Sequence, residues 1–263
     1  MTRVLSGVAM AAAAFALVWW LPSNALLAVA SAVAALAFLE YARLVRAIGA
    51  DLPFVSALLA TLAACAVAAH PLALGTMAFP AFGVMLVAVA VSLMARGVSG
   101  APLVHGASAA MLAPLYLGLP LGALVAIHTA TGREGVLTLV ATVAASDTFQ
   151  YYSGRTFGRL PLAPTISPKK TIEGAIGGFL LAPLALVVIA HWWLPRVPPL
   201  TAWVVGLGVV LAGIAGDLFE SALKRAAGVK DSGTLIPGHG GVLDRIDALL
   251  FAAPLFYILV WLT

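Results

Sequence analysis

The sequence predicts an all-α polytopic membrane protein with about nine transmembrane helices. Of its 263 residues, 63% are hydrophobic and only 9% are charged, whereas about a quarter of the residues in an ordinary soluble domain are charged. A soluble fold needs a more highly charged surface, and a disordered chain combines low hydrophobicity with high charge. Both classes are therefore excluded. Because a spanning helix takes roughly 20 residues, the chain has room for about ten spans at most.

Nine apolar runs, separated by proline, glycine or charged residues, give the predicted spans. The first run is longer than the core of a usual signal peptide, and a second apolar stretch follows it directly, so we expect it to remain as the first helix. Pro114 and Pro120 fall inside the fifth run and should kink that helix. The runs cover residues 4–21, 24–42, 53–69, 77–95, 103–127, 135–153, 174–193, 200–223 and 245–262.

The basic residues predict the orientation of these helices. If the N-terminus lies inside, only Arg133 and Arg196 of the 14 basic side chains fall on the outer side. Cytoplasmic loops carry such an excess of Lys and Arg, so we predict an inside N-terminus and an outside C-terminus. The net charge of +4 then reflects orientation, and we expect no nucleic-acid partner. The single cysteine, Cys65, excludes a disulfide framework and a cysteine-ligated metal site.

The acidic residues are unevenly distributed along the chain. Residues 1–130 contain only Glu40 and Asp51. A carboxylate at the centre of a membrane helix costs roughly 2.5–3.5 kcal/mol, so it persists where it faces a cation, another polar group or water. We therefore predict N-terminal scaffold helices over 1–130 and a catalytic region with a cytoplasmic-side polar site over 131–263. Residues 145–247 contain Asp147, Glu173, Asp217, Glu220, Asp231, Asp244 and Asp247.

The eighth predicted helix has one polar face near its end. Asp217, Glu220, Ser221 and Lys224 follow the spacing i, i+3, i+4, i+7, which places them on one side of a helix. Paired charges at the membrane edge would give the same pattern as a functional surface, and the spacing alone does not decide between them.

A glycine-rich loop precedes the last predicted helix. Gly238, Gly240 and Gly241 flank His239, and glycines let a ligand approach the backbone N–H groups closely. The following helix N-terminus favours anions, and Lys and Arg residues nearby suit phosphate. Several aspartates lie in the same stretch and would repel phosphate unless a hard cation such as Mg²⁺ lay between them. The alternative is a simple turn with Asp244 as helix cap, which explains one of these acids.

Two sequence blocks carry a resemblance to a known family. The first reads Ser221-x-x-Lys224-Arg225-x4-Lys230-Asp231, then Ile236-Pro237-Gly238-His239-Gly240-Gly241-x-x-Asp244-Arg245-x-Asp247. It resembles the signature of phosphatidate cytidylyltransferases (CDP-diacylglycerol synthases). The second, upstream block is Ser146-Asp147-Thr148, Gly154-Arg155, Gly158 and 167–174, and it departs from the family pattern at Gln150, where we expect a small residue. The first 130 residues contain no motif of this kind.

The resemblance implies that CTP and phosphatidate react to give CDP-diacylglycerol and pyrophosphate, with Mg²⁺ as cofactor. It also implies a homodimer in the lipid bilayer, with Asp217 and Asp244 as metal ligands. The other implied catalytic residues, which would contact phosphate, are Lys224, Arg225, Lys230, His239 and Arg245. Further implied substrate-binding residues are Asp147, Ser167, Lys169, Lys170, Ser221, Asp231, Gly238, Gly240, Gly241 and Asp247. Asp147 could contact either nucleotide or metal, and Asp231 and Asp247 could instead be further metal ligands or orient the Lys and Arg side chains.

The Ser167-Pro168 pair predicts the start of the seventh helix, with serine as N-cap and proline at the first helical position. Lys169 and Lys170 would then lie in the first turn, where the helix dipole disfavours cations. A bound anion would relieve that conflict. Phosphate binding by this pair and contact with the membrane surface both stay open.

Other protein classes fit the sequence less well. A secondary transporter would show inverted repeats and broken helices near the midplane, and no matching halves are found. A CTP-dependent lipid kinase looks similar in the C-terminal region, whereas a CDP-alcohol phosphotransferase would contain an Asp-Gly-x-x-Ala-Arg motif that this sequence lacks. We expect a bacterial inner-membrane protein whose active site faces the cytoplasm, where CTP is found.

Overall fold

The computed structural model describes residues 2–236 and 238–261, with side chains described for 7–70, 80–236 and 238–259. Each of the nine predicted apolar runs falls on helix in this part of the chain, whereas Pro237 of the glycine loop and the end of the last run lie outside it. The helices are α1 Thr2–Trp20, α2 Ser23–Ala47, α3 Phe54–Ala68, α4 Pro71–Ala95, α5 Ala101–Ala113, α6 Leu119–Phe157, α7 Ile172–Trp193, α8 Pro199–Ala226 and α9 Leu243–Trp261.

Within the part of the chain that the structure describes, four helical segments are long and apolar enough to cross a membrane. They are α2, the continuous stretch Ala101–Phe157, α7 and α8, and three shorter apolar segments accompany them at Gly7–Trp20, Phe54–Ala68 and Pro80–Ala95. The prediction of an all-α membrane protein is therefore confirmed.

Two irregularities interrupt the long helical stretch from 101 to 157. Pro114 begins a π-helical turn over Pro114–Gly118, where the wider backbone spacing accommodates a residue that cannot donate a helical hydrogen bond. Gly132 has φ 72° and ψ −171°, so the helix breaks there. This second break lies between the fifth and sixth predicted spans.

The predicted start of the seventh helix at Ser167 is wrong. Ser167–Thr171 forms strand β2, which pairs antiparallel with β1, Pro161–Ala163. α7 begins after Thr171, whose Oγ1 accepts a hydrogen bond from the N–H of Gly174 at 3.1 Å. Lys169 and Lys170 therefore lie on an extended strand. The conflict with a helix dipole does not arise, because the hairpin pairing prevails over the local capping preference.

The chain divides into two compact units. The first unit combines Met1–Ala126 with Leu223–Arg245, and the second combines Ile127–Ala222 with Ile246–Thr263. The core of the first unit contains Phe38 and Tyr41, both fully buried. Phe38 makes an edge contact with Phe54 at 5.3 Å between ring centroids, and the Tyr41 hydroxyl donates to the carbonyl oxygen of Ala109 at 2.8 Å.

Glycines allow close helix packing in the second unit. A Cβ added at Gly174 of α7 would lie 2.8 Å from the carbonyl oxygen of Gln150 on α6, and one added at Gly178 would lie 2.5 Å from the Gln150 Cγ. A Cβ at Gly216 of α8 would lie 2.5 Å from the carbonyl oxygen of Asp247 on α9. Small residues at such crossings let membrane helices approach closely. The contacts of Gly174 and Gly178 bring α6 and α7 together beside the pocket described next, and Gly216 packs α8 against α9.

Candidate active site

A polar pocket lies in the second unit, with a cavity volume of about 390 Å³. The end of α6, strand β2, the first turn of α7 and α8 all contribute side chains to it. It contains both acidic and basic groups, which is the composition that a triphosphate and a metal ion require. Its charged and polar residues include Asp147, Gln150, Arg155, Lys169, Lys170 and Asp217.

Asp217 is held at this pocket by two polar contacts. The Lys170 ammonium forms an ion pair with its Oδ2, and the Ser221 hydroxyl donates to its Oδ1 at 3.4 Å. The Lys170 and Asp217 side chains are 23% and 30% exposed, so neither is sealed from the cavity. The ion pair joins the upstream motif to the polar face of α8. Both contacts join residues that the sequence had singled out.

Asp147 lies close enough to Lys170 and Asp217 for its charge to interact with both. Asp147 is an exposed residue of α6. No helical partner was evident for this acid from sequence, because its partners come from β2 and α8. The pocket therefore contains two carboxylates with a lysine beside them, and Lys169 also lines it.

Gln150, the departure from the family pattern, lines the same pocket. Its Nε2 donates to the Ser146 hydroxyl at 2.9 Å, which fixes the amide one turn along α6. Nearby, the Arg155 Nη1 donates to the Tyr151 hydroxyl at 3.2 Å, and both of these side chains also line the pocket. The larger side chain at position 150 is thus accommodated by a hydrogen bond within α6 and by the absence of a side chain at Gly178.

A second polar cluster, in the first unit, surrounds Asp244 in the first turn of α9. Its Oδ2 accepts hydrogen bonds from the Ser232 N–H and hydroxyl, both at 2.9 Å, and from the Gly241 N–H at 2.8 Å. Its Oδ1 accepts from the Lys224 Nζ at 2.6 Å, and the Asp244 side chain is only 4% exposed. This carboxylate therefore ties the glycine loop to the end of α8.

Glu40 of α2 belongs to the same cluster and was not predicted from the sequence. It is buried, its Oε2 accepts from the Leu243 N–H at 2.8 Å, and its Oε1 accepts from the Val242 N–H at 2.9 Å. The Ser232 Oγ lies 2.8 Å from the Glu40 Oε2 and 2.9 Å from the Asp244 Oδ2, so its single proton is shared between the two carboxylates. A Cβ at Gly241 would lie 2.3 Å from the Glu40 Oε2. One signal was available: a lone carboxylate inside an apolar run needs polar partners.

Two backbone hydrogen bonds of Ile236 form a tight turn at Gly238 and His239. The N–H of Ile236 donates to the carbonyl oxygen of Gly240 at 2.9 Å, and the N–H of His239 donates back to Ile236 at the same distance. Gly238 and Gly240 have φ values of 76° and 81°, in the left-handed region that favours glycine. This turn explains why the loop requires those two glycines.

The other predicted residues do not line the pocket. Lys230, Asp231 and Arg245 are exposed, and the Arg225 Nη1 donates to the carbonyl oxygen of Val229 at 3.4 Å. The Asp247 Oδ1 accepts from the N–H of Ala248 within its own helix. Ser167, paired with Ala163 in the hairpin, is not among the residues that line the pocket.

Asp217 and Asp244, the two predicted metal ligands, belong to different units, and each has its own cluster. Among the described residues, no group of three or more His, Cys, Asp or Glu side chains is arranged to hold a metal ion. Mg²⁺ in phosphate-transfer sites is usually bound through one or two carboxylates together with substrate phosphates and water. The Asp147 and Asp217 pair fits that smaller requirement.

Comparison with known proteins identifies the family of this chain. A sequence model of the cytidylyltransferase family matches residues 1–263. A phosphatidate cytidylyltransferase of Thermotoga maritima is 40% identical over 158 residues, which is 56% of this chain and 56% of the relative. The phosphatidate cytidylyltransferase of Aquifex aeolicus is 40% identical over 125 residues, which is 48% of this chain and 46% of the relative. That of Helicobacter pylori is 39% identical over 154 residues, which is 59% of this chain and 57% of the relative. This chain thus spans about half the length of the curated relatives that it matches. Because the family model matches along the whole chain, this protein belongs to the cytidylyltransferase family.

Proposed function

We propose that this protein transfers the cytidylyl group of CTP to phosphatidate, forming CDP-diacylglycerol and pyrophosphate in phospholipid biosynthesis. The observation that carries the proposal is the pocket of the second unit, where Asp147, Lys170 and Asp217 interact and Lys169 and Arg155 complete the lining. The relatives named as phosphatidate cytidylyltransferases support the choice of substrates. The membrane-spanning helices suit a lipid substrate.

The charges of the pocket suit this reaction. An oxygen of the phosphatidate phosphate attacks the α-phosphorus of CTP, the bond between the α-phosphorus and the bridging oxygen breaks, and pyrophosphate leaves. Both reactants are anions, so positioned cations lower the barrier by offsetting their repulsion and the charge on the leaving group. Lys169, Lys170 and Arg155 supply such charge. The attacking phosphate is already largely ionised, so no protein base is needed.

We further propose that Asp147 and Asp217 are the residues that hold Mg²⁺. A divalent cation bound there would neutralise triphosphate charge and stabilise the departing pyrophosphate. With a cation held there, the Lys170 ammonium, which pairs with Asp217 in this structure, would be available to a substrate phosphate. Direct ligation by Asp244 stays a prediction, and its hydrogen bonds to Lys224, Ser232 and Gly241 count against it. We assign Glu40 to positioning the glycine loop, to which Asp244 is also hydrogen-bonded.

The test is purified protein in detergent with phosphatidate, Mg²⁺ and CTP labelled at either the α- or the γ-phosphate. We expect the α-label to enter the lipid fraction and pyrophosphate to be released in equal amount. Entry of the γ-label, with release of CDP, would instead assign a CTP-dependent lipid kinase. Absence of both labels from lipid, with the protein folded, would overturn the proposal.

We also propose that the protein lies in a bacterial inner membrane, with nine spans, its N-terminus and active site facing the cytoplasm, and that it forms a homodimer. The distribution of Lys and Arg supports the orientation. The test uses a Cys65→Ser background, which removes the native cysteine, a buried one. In that background an Arg196→Cys variant should react with an impermeant thiol reagent in intact cells, whereas an Arg43→Cys variant should react only after lysis. Light scattering of the solubilised protein should give twice the chain mass of 26.8 kDa.

A further inference from the structure

A basic pocket of the first unit is not used by the proposed reaction. It has a volume of about 290 Å³ and forms where the end of α2, the start of α3 and the end of α4 meet. Arg46 and Arg96 both line it, and no carboxylate is among the described residues of its lining. None of its residues belongs to the two motif blocks. We therefore ask which ligand, other than the substrates of the proposed reaction, its positive charge would bind.

The Arg96 guanidinium is fixed at the pocket by one ion pair. Its Nη2 donates to the Asp51 Oδ1, and the two side chains are 44% and 40% exposed. This pair connects the segment before α3 to the residue that ends α4. It engages one of the five N–H donors of the guanidinium group, so Arg96 retains donors for an anion in the pocket.

The Arg46 guanidinium is oriented in a different way. Its Cζ lies 5.3 Å from the centroid of the Phe54 ring, a cation–π contact that uses the face of the group and leaves its N–H edge available. No carboxylate forms an ion pair with Arg46 among the described residues. With Asp51 offsetting Arg96, the site has a net charge of one positive unit.

An exposed apolar surface continues from this pocket along α3. Val55 lines the pocket and is 68% exposed, and Leu59, one turn further along the same helix face, is 60% exposed. The two serine hydroxyls of the lining donate to backbone carbonyl oxygens, Ser56 to Pro53 and Ser92 to Ala88. The guanidinium groups are therefore the donors that an anion would meet, beside a surface suited to hydrocarbon.

We propose that this pocket binds the phosphate of an anionic phospholipid as a structural or regulatory lipid, separate from the substrate. The phosphate is held between Arg46 and Arg96, where guanidinium groups match its oxygens in geometry and charge. The acyl chains lie along Val55 and Leu59. The single net positive charge matches a phosphodiester lipid with one negative charge, whereas a free phosphate ion would make no use of the apolar surface.

The test is native mass spectrometry of the full-length protein in detergent, titrated with phosphatidylglycerol or phosphatidylcholine. The Arg46→Gln variant should bind phosphatidylglycerol roughly tenfold more weakly, as expected for one charge-assisted contact, with no change for phosphatidylcholine. Arg46 is exposed, so this variant should keep the wild-type melting temperature. Asp51→Asn, which raises the net positive charge of the site, should bind phosphatidylglycerol more tightly than wild type.

Arg43→Gln is the matched control, because Arg43 is exposed on the same helix but does not line the pocket. Wild-type affinity in Arg46→Gln, or an equal loss in Arg43→Gln, would overturn the proposal. Displacement of the lipid by inorganic phosphate at similar concentration would assign the site to free phosphate and overturn it as well. Binding is measured without CTP, so the outcome does not depend on the proposed activity.

Discussion

Asp217 and Asp244, the two acids expected to bind metal, lie in very different surroundings. Asp217, in the second unit, is 30% exposed, pairs with Lys170 and accepts a long hydrogen bond from Ser221 at 3.4 Å. Asp244, in the first unit, is 4% exposed, accepts hydrogen bonds from Lys224, the Ser232 N–H and the Gly241 N–H between 2.6 and 2.9 Å, and shares the Ser232 hydroxyl proton with Glu40. The two residues look equivalent in a sequence motif and differ in how much of their hydrogen-bonding capacity is already used.

This difference separates a carboxylate that can exchange partners from one that holds the chain. Releasing Lys170 from Asp217 breaks one partly exposed ion pair, and such pairs contribute about 0–1 kcal/mol. Freeing Asp244 would break a buried pair and detach the glycine loop, and breaking a buried pair costs about 3–5 kcal/mol. We infer that Asp217 meets metal and substrate, and that Asp244, with Glu40, fixes the shape of the loop.

The variant with the largest expected effect tests whether Asp217 binds metal and substrate. Asp217→Asn should lower kcat for CDP-lipid formation by about 10²–10³-fold, the loss typical of removing one electrostatic stabiliser, because a neutral amide binds a divalent cation poorly. Its melting temperature should stay near wild type, since the side chain is partly exposed. The α-label assay and thermal unfolding measure the two quantities.

Glu134→Gln is the control for Asp217→Asn. Glu134 also lies in the second unit and pairs with Arg133 at 3.2 Å, outside the pocket, so its variant should keep near-wild-type turnover. If Asp217→Asn were as active as this control, Asp217 would have no role in metal or substrate binding.

Lys170→Met should lower kcat/KM for CTP by about 10–100-fold, the loss expected for one or two charge-assisted contacts to phosphate. The same variant should reach half-maximal activity at a lower Mg²⁺ concentration, because Lys170 no longer competes for Asp217. Steady-state kinetics at varied Mg²⁺ measures both. An unchanged Mg²⁺ dependence would show that the Lys170–Asp217 pair does not compete with metal.

Glu40→Gln tests whether the buried Glu40 carboxylate holds the glycine loop in its shape. The neutral amide presents one acceptor oxygen where the carboxylate presents two, so either the Val242 N–H, or the Leu243 N–H and the Ser232 hydroxyl, lose their acceptor on residue 40. We expect the free energy of unfolding to fall by about 1–3 kcal/mol, as for an unsatisfied buried group. Limited proteolysis should cut the loop over residues 228–242 faster than in wild type.

Asp51→Asn is the matched control for Glu40→Gln, since Asp51 is the other acid of residues 1–130 and its ion pair is partly exposed. It should change stability by less than about 1 kcal/mol. Equal proteolysis of the loop in Glu40→Gln and wild type would remove Glu40 from the loop-positioning role.

The sequence predicted what depends on local properties. A span of apolar residues is local, so each of the nine predicted runs falls on helix, although the start of α7 was wrong. Helical spacing singled out Asp217, and the resemblance singled out Asp147 and Lys170, all of which line the pocket. Glu40 was missed because its partner Ser232 lies 192 positions further along the chain. No local pattern relates the two, and only the cost of an isolated carboxylate in an apolar run pointed to a partner.

The hairpin was missed for the same reason. Ser167 followed by Pro168 satisfies the local rule for a helix start. Antiparallel pairing of Pro161 with Thr171 and of Ala163 with Ser167 keeps the segment extended instead. The pairing places Lys169 and Lys170 on a strand beside the start of α7, and both line the pocket. Pairing with β1 at both ends of β2 positions these lysines through contacts that the motif does not encode.

The smallest expected effect concerns this junction between β2 and α7. Thr171→Val keeps the shape and the β-branched side chain but removes the Oγ1 that accepts from the Gly174 N–H at 3.1 Å. Loss of an N-cap of this kind costs about 0.5–2 kcal/mol, which thermal unfolding measures. Because Lys170 precedes the cap directly, KM for CTP should also rise by a few-fold, with kcat nearly unchanged. Thr165→Val, at an exposed position in the turn of the same hairpin, should change neither quantity. An equal loss of stability in both variants would mean that the hairpin fold, and not the cap, determines where α7 begins.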